Sequence, residues 1–206
     1  MKYLLLFIIP AFFPFATSAQ ETDSAYTAAI ATHRAHYKQE FLTETRSPLT
    51  AKDTAYLDFF PANPGWNITA TFTRTENAEP FDMPTYSGLT KRFVTYGTIS
   101  FGINGAIQTL SIYRNLKPSS DPAYKDHLFL PFKDATNPKI TYGGGRYIDL
   151  QTGDIQDGKV TIDFNKCYNP WCAYSDGFNC PVPPRENHLK IGVEAGERLF
   201  LGEKKH

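Results

Sequence analysis

Five polar residues near the C-terminal end of the chain, Asp163, Asn165, Asn169, Glu186 and Asn187, are interleaved with the aromatic residues Tyr168, Trp171 and Tyr174. Convergent polar groups among aromatic rings are what a small-ligand pocket requires. Asp163 and Glu186 are also the carboxylate pair that general acid and base chemistry would use, provided they face a common cleft within about 5 to 10 Å. Upstream, Arg146 follows the glycine turn Gly143-Gly144-Gly145, and its planar fork suits a carboxylate or sugar acid. The same residues have a structural reading. Asn and Asp satisfy turn backbone, Pro170, Pro181, Pro183 and Pro184 hold an extended loop, and Arg146 could instead pair with Asp163 or Glu186.

All three cysteines lie in this region. In an exported chain a disulfide is the default, and Cys172 with Cys180 would close a loop of nine residues. The alternative is a zinc site from Cys167, Cys172, Cys180 and His188, whose four, seven and seven intervening residues match no zinc motif. Of the other histidines, His33 and His36 fall on a helical pattern, His127 starts a strand and His206 ends the chain. No helix motif of zinc proteases and no Gly-x-Ser-x-Gly nucleophile elbow is present. The glycines before Arg146 do not make a phosphate loop, because a β-like segment follows them rather than a helix start. The expectation is a site without cofactor or metal.

Several elements must position these groups. Residues 1 to 19 combine Lys2, an apolar run from Tyr3 to Phe15, and Thr17 and Ala19 at the spacing a signal peptidase reads. They predict a periplasmic or secreted protein beginning near Gln20. The run is too short to span a bilayer, so no stable membrane insertion is expected after cleavage. Residues 20–64 read as a helix and crossover: Tyr26, Ile30, His33, Tyr37 and Phe41 recur at helical steps, Ser24 is the expected N-cap, and Ser47-Pro48 stops the helix. Residues 65–206 read as a β domain forming one globular unit with the helix. From Trp66 to Thr73 the period is two. Phe93–Phe101 and Ala106–Tyr113 flank the tight turn Asn104-Gly105. Further short strands are expected at His127–Phe132, Arg146–Leu150, Val160–Phe164 and Leu189–Val193; regular alternation would set Asp149 on the same side as Tyr147. The predicted class is mainly β, an antiparallel sandwich or partly open barrel with an N-terminal helix and a proline-rich C-terminal loop.

Charge narrows the partners. The chain carries 21 basic and 21 acidic residues; without Lys2 the balance is 20 against 21, a net charge of −1 after the leader. Nothing in it offers a footprint for nucleic acid. The 16 Phe, 12 Tyr and 2 Trp favour strands and broad packing surfaces.

The stretches Asp163-Phe-Asn-Lys-Cys-Tyr-Asn-Pro-Trp-Cys-Ala-Tyr, Cys180-Pro-Val-Pro-Pro-Arg-Glu-Asn-His-Leu and Ala195-Gly-Glu together resemble the C-terminal signature of DUF1684, a prokaryotic family of unknown function. Tyr142-Gly-Gly-Gly-Arg-Tyr-Ile-Asp-Leu and the Phe81–Gly88 stretch leading into Tyr96-Gly97 resemble it too. The resemblance implies a Cys172–Cys180 pair with Cys167 as the odd thiol, and it supplies no activity. Function is therefore expected from the residues alone: binding of a small polar or carbohydrate-like ligand by Arg146, Asp163, Asn165, Tyr168, Asn169, Glu186 and Asn187. The alternatives are a hydrolase of envelope or imported glycans and an envelope interaction protein with an exposed apolar patch.

Overall fold

The computed structural model describes residues 17–103, 105–117 and 124–206, with side chains from residue 23 onward. Nearly all of the expected leader lies outside the described residues, as does Asn104 of the expected turn. Its partner Gly105 has φ 76°, the left-handed backbone such a turn requires.

The helix α1 spans Thr17–Thr43. It runs through Ser24, the expected N-cap, because Ala19, Gln20 and Glu21 are good helix formers and nothing before Ser24 breaks the helix. The face predicted from periodicity is the one that packs: Ile30 and Phe41 are buried and Tyr26, His33 and Tyr37 half-buried, while the residues between them are mostly exposed.

The strands are β1 (Asn67–Arg74), β2 (Phe81–Pro84), β3 (Thr90–Ile103), β4 (Ala106–Asn115), β5 (His127–Phe132), β6 (Arg146–Gln151), β7 (Ile155–Gln156) and β8 (Lys159–Asp163). All belong to one sheet of order β6-β5-β4-β3-β1-β8-β7, with β2 beside β3, and every pairing is antiparallel. The protein is therefore mainly β, and the single unclosed sheet decides against two packed layers. The sheet curls: Ile148 and Leu150 of β6 share a core with Val160 and Ile162 of β8, from the far end of the strand order. After β8 the chain turns and meets β6 through one reciprocal pair of hydrogen bonds, Tyr147 N to Tyr168 O at 2.9 Å and Tyr168 N to Tyr147 O at 3.0 Å.

Around β5 and β6 and the adjoining ends of β3 and β4 both faces of the sheet are apolar, whereas the outer face of β1 and β8 is exposed Thr, Asn and Lys; a β-bulge sets which residue faces which way. In β4, β5 and β6 the even-numbered Leu110, Ile112, Leu128, Leu130, Phe132, Ile148 and Leu150 fill the main core. The odd-numbered Tyr113, Phe129 and Tyr147 form a second, aromatic cluster with Phe93 and Met83. Along β3 strict alternation would put Phe93, Ile99 and Phe101 on one side. The register shift between Thr95 and Gly97 reverses the alternation, so Phe93 joins the aromatic cluster while Ile99 and Phe101 enter the main core. Only glycine fits there, since a Cβ on Gly97 would stand 2.4 Å from the Phe72 ring and 2.6 Å from Thr73 O.

Leu189–Val193 is not the expected strand. Its first part pairs with residues 133–135 through two backbone bonds, Leu189 N donating to Lys133 O at 2.8 Å and Ala135 N to Ile191 O at 2.9 Å, and side chains take over at its end: Asp134 Oδ1 accepts Val193 N at 3.2 Å and Arg146 Nη2 donates to Val193 O at 2.8 Å. Trp66, expected to open β1, instead ends a one-turn 3-10 helix that Asn63 caps by accepting Gly65 N at 2.8 Å.

Candidate functional site

The aromatic face of the sheet is roofed by the segment from Tyr168 to Pro181, and between them lies a cavity of about 540 Å³. Strand alternation supplies its floor as residue pairs two apart: Lys91 and Phe93 from β3, His127 and Phe129 from β5, Tyr147 and Asp149 from β6. Asp149 thus shares the side of Tyr147, as regular alternation required. The rings hold one another. Phe93 stacks on Phe129 at 5.7 Å, Phe129 meets Tyr147 edge-on at 4.7 Å, Tyr147 meets Tyr168 at 5.9 Å, and Trp171 meets Phe178 at 5.1 Å. The polar centre is Asp149. Its Oδ1 lies 2.8 Å from His127 Nε2, and its Oδ2 accepts the Tyr168 hydroxyl at 2.6 Å. Burial first, and the Asp149 charge with it, hold the Tyr147 and Tyr168 hydroxyls well above the usual phenol range, so both stay protonated donors.

Asp149, Tyr168 and Trp171 also line a second groove, of about 770 Å³, between α1 and the two ends of the sheet. Tyr26, His33, Tyr37 and Asp163 line it as well.

The structure distributes the sequence-predicted residues unevenly. Of the seven, Tyr168 alone reaches the aromatic cavity; it and Asp163 line the groove under α1. Asp163 caps the turn after β8, accepting Asn165 N at 3.1 Å, and accepts the Tyr26 hydroxyl at 2.8 Å. Asn165 ties that turn to Asn63, accepting its N–H and donating to its carbonyl, both at 2.9 Å. Asn187 bridges two strands, accepting Ser111 N at 2.7 Å and donating to Ser111 O at 2.8 Å and Pro131 O at 2.7 Å. Asn169 donates its carboxamide to Arg198 O at 2.8 Å. Glu186 accepts the Tyr113 hydroxyl at 2.9 Å and does not line the groove that holds Asp163. The two carboxylates an acid and base pair would need therefore do not share that groove.

Arg146 is the largest fully buried side chain. Its partner is neither Asp163 nor Glu186 but the buried Asp134, 2.8 Å away; it also donates to the carbonyls of Val193, Ala195 and Glu197. It staples the C-terminal segment across β6 and has no surface left for a ligand.

Cys172 and Cys180 stand as a disulfide pair with Cα atoms 6.2 Å apart, and Cys180 lines the aromatic cavity. Two of the four groups of the zinc alternative are thereby used. Cys167 is free and buried, its thiol pushed up to about 11 by burial. His188 lies instead beside Pro183 O, at 3.0 Å.

A family profile described as protein of unknown function (DUF1684) matches residues 52–198. The chain belongs to this family. The matched span contains every residue of the aromatic cavity except Arg46. An uncharacterised protein of Haloarcula marismortui, whose structure was determined in solution by NMR, is similar over 87% of this chain and 97% of its own, with 34% identity and a TM-score of 0.66. No curated protein matches.

One family-signature residue was absent from the expected site. Glu197, in the Ala195-Gly-Glu stretch, is fully buried. Its Oε1 accepts the Tyr174 hydroxyl at 2.6 Å; its Oε2 accepts Asn169 N at 2.8 Å and the Tyr37 hydroxyl at 3.1 Å. Burial outweighs these bonds and raises its carboxyl to about 7. It joins α1 to the segment that roofs the cavity. No motif marks His127, which only its strand position distinguishes; Asp149 lies in the family-like stretch Tyr142-Gly-Gly-Gly-Arg-Tyr-Ile-Asp-Leu, a signal that could have found it.

Proposed function

We propose that the protein is an exported binding domain that takes a small, ring-bearing polar ligand, of the size of a sugar or a short glycan fragment, in the aromatic cavity. The observation that carries this reading is the combination of seven aromatic side chains with a hydrogen-bonding centre at Asp149, in a cavity of about 540 Å³. Ring faces offer stacking surface, and the carboxylate, imidazole and phenol offer acceptors and donors for hydroxyls. Export is supported by Lys2, the apolar run that follows it, Ala19, and the Cys172–Cys180 pair. Among the described residues, no helix is long and apolar enough to cross a membrane.

The chain has two tryptophans, Trp66 in the core and Trp171 on the cavity wall. In a ¹⁵N-correlated NMR spectrum they give two indole cross-peaks. A panel of mono- and disaccharides, neutral and acidic, should contain members that move the Trp171 peak in a saturable way and leave Trp66 in place. If no member does so at millimolar concentration, the cavity is not a site for this class.

A further inference from the structure

We infer that the ligand of the aromatic cavity carries a negative charge, bound by Lys91, opposite in chemistry to the hydroxyl-binding centre at Asp149. This rests on the cavity being a site, and it adds the charge and orientation of what the cavity takes.

The charges lining the cavity do not balance. Asp149 supplies one negative charge, already engaged by His127 and Tyr168, whereas Lys91 and Arg46 both supply positive ones. Among the described residues no carboxylate stands within ion-pair distance of either cation. Lys91 is the telling one. It sits half-buried on β3, two residues before Phe93 and on the same face, and desolvation lowers its ammonium below the ordinary lysine range. A charge withdrawn from water without a partner costs free energy that a surface lysine would avoid, and an incoming anion would restore it.

The neighbours of Lys91 complete an anion seat. Lys91, Asn115 and Asn179 all border a smaller adjoining cavity, at a different edge from the one Asp149, Tyr168 and Trp171 share with the groove under α1; Asp82 also borders it, its carboxylate paired with Arg92 at 3.4 Å. The Asn115 carboxamide oxygen is taken by Lys117 N at 3.0 Å, which leaves its NH2 group to donate. A ring lying on the aromatic floor would therefore meet ammonium and amide donors at one edge and the carboxylate of Asp149 at the other. Such polarity selects an acidic ring compound, such as a uronic acid, over its neutral counterpart.

The test uses two probes of equal shape, phenyl β-D-glucuronide and phenyl β-D-glucoside, titrated into the intact protein and followed by the Trp171 indole peak. One charge-assisted contact predicts that the acid binds about tenfold more tightly, with an advantage that shrinks as salt is raised. Lys91→Met should abolish the difference between the probes and leave the melting temperature of the free protein unchanged or higher, whereas Lys91→Arg should retain the preference. Equal or better binding of the neutral probe overturns the inference while leaving the cavity as a site. A preference that survives Lys91→Met, or a melting temperature that falls in that variant, assigns Lys91 a structural role and also overturns it. If neither probe moves Trp171 but neutral saccharides of the panel do, the charge assignment fails alone; if nothing does, the cavity reading fails with it.

Discussion

Replacing Glu197 by Gln should flatten the pH dependence of stability in the neutral range, because this carboxyl is the most thoroughly buried acid of the fold's C-terminal joint. Its pKa rises from the ordinary 4.5 to about 7, with desolvation outweighing the bonds from Asn169, Tyr174 and Tyr37. A folded-state value above the unfolded one means that the native protein favours the protonated acid. The stability it contributes is complete below pH 4.5 and is lost as the pH climbs through 7. A rise of that size corresponds to roughly 3 kcal/mol lost between pH 4.5 and pH 8. Gln is neutral throughout and can keep the geometry: its oxygen accepts Asn169 N, its NH2 donates to Tyr174, and the two tyrosine hydroxyls, 3.0 Å apart, turn to suit. Urea unfolding of both proteins at several pH values, extrapolated linearly to water, gives the quantity of interest, the stability of E197Q minus that of the parent. It should grow by roughly 3 kcal/mol from pH 4.5 to 8. Other titrating groups cancel in this difference, so a difference that stays flat across the range would refute the argument that burial dominates at Glu197.

Arg146→Met should cost about 3 to 5 kcal/mol in the same urea assay, because it strands the buried Asp134 without its counter-charge; the double variant with Asp134→Asn should recover part of that loss, and strict additivity would sink the pairing. Cys180→Ser removes the closure of a nine-residue loop and should cost roughly 2.5 kcal/mol on the chain-entropy estimate. Alkylation of the denatured parent should block one thiol before reduction and three after, and three reactive thiols beforehand would contradict the Cys172–Cys180 bond.

The helix and most strands were legible because each depends on short-range signals, and the Cys172–Cys180 pair because the family resemblance implied it. The recurrence of Tyr26, Ile30, His33, Tyr37 and Phe41 described the buried face of α1, and alternation described β1 and the side that Tyr147 and Asp149 share on β6. What could not be read was pairing at long separation. Nothing local says that Arg146 will meet Asp134 and the carbonyls of 193 to 197, or that Glu197 will accept a hydroxyl from Tyr37, 160 positions away. Leu189–Val193 has the composition of a strand, yet its pairing with residues 133–135 stops after two backbone bonds, and the side chains of Asp134 and Arg146 take Val193 in place of a strand neighbour.

The same physics explains why the polar signature pointed beside the site rather than into it. Asn165, Asn169, Asn187 and Arg146 are conspicuous because they are polar and dense, but buried polar groups must find partners, and here those partners are the backbones of neighbouring loops and strands and the Asp134 carboxylate. They fasten loops to the sheet and to one another, and only Asn169 belongs to the roof. The cavity beneath it is built from residues that look ordinary one at a time, Lys91, Phe93, His127, Phe129, Tyr147 and Asp149, and that share a face only through strand register. The bulge at Thr95–Gly97 is decisive in this, since without its half-turn of alternation Phe93 could not share a side with Phe129 while Ile99 and Phe101 fill the core. A site of this kind is specified by pairing, so its chemistry becomes visible only after the sheet is assembled.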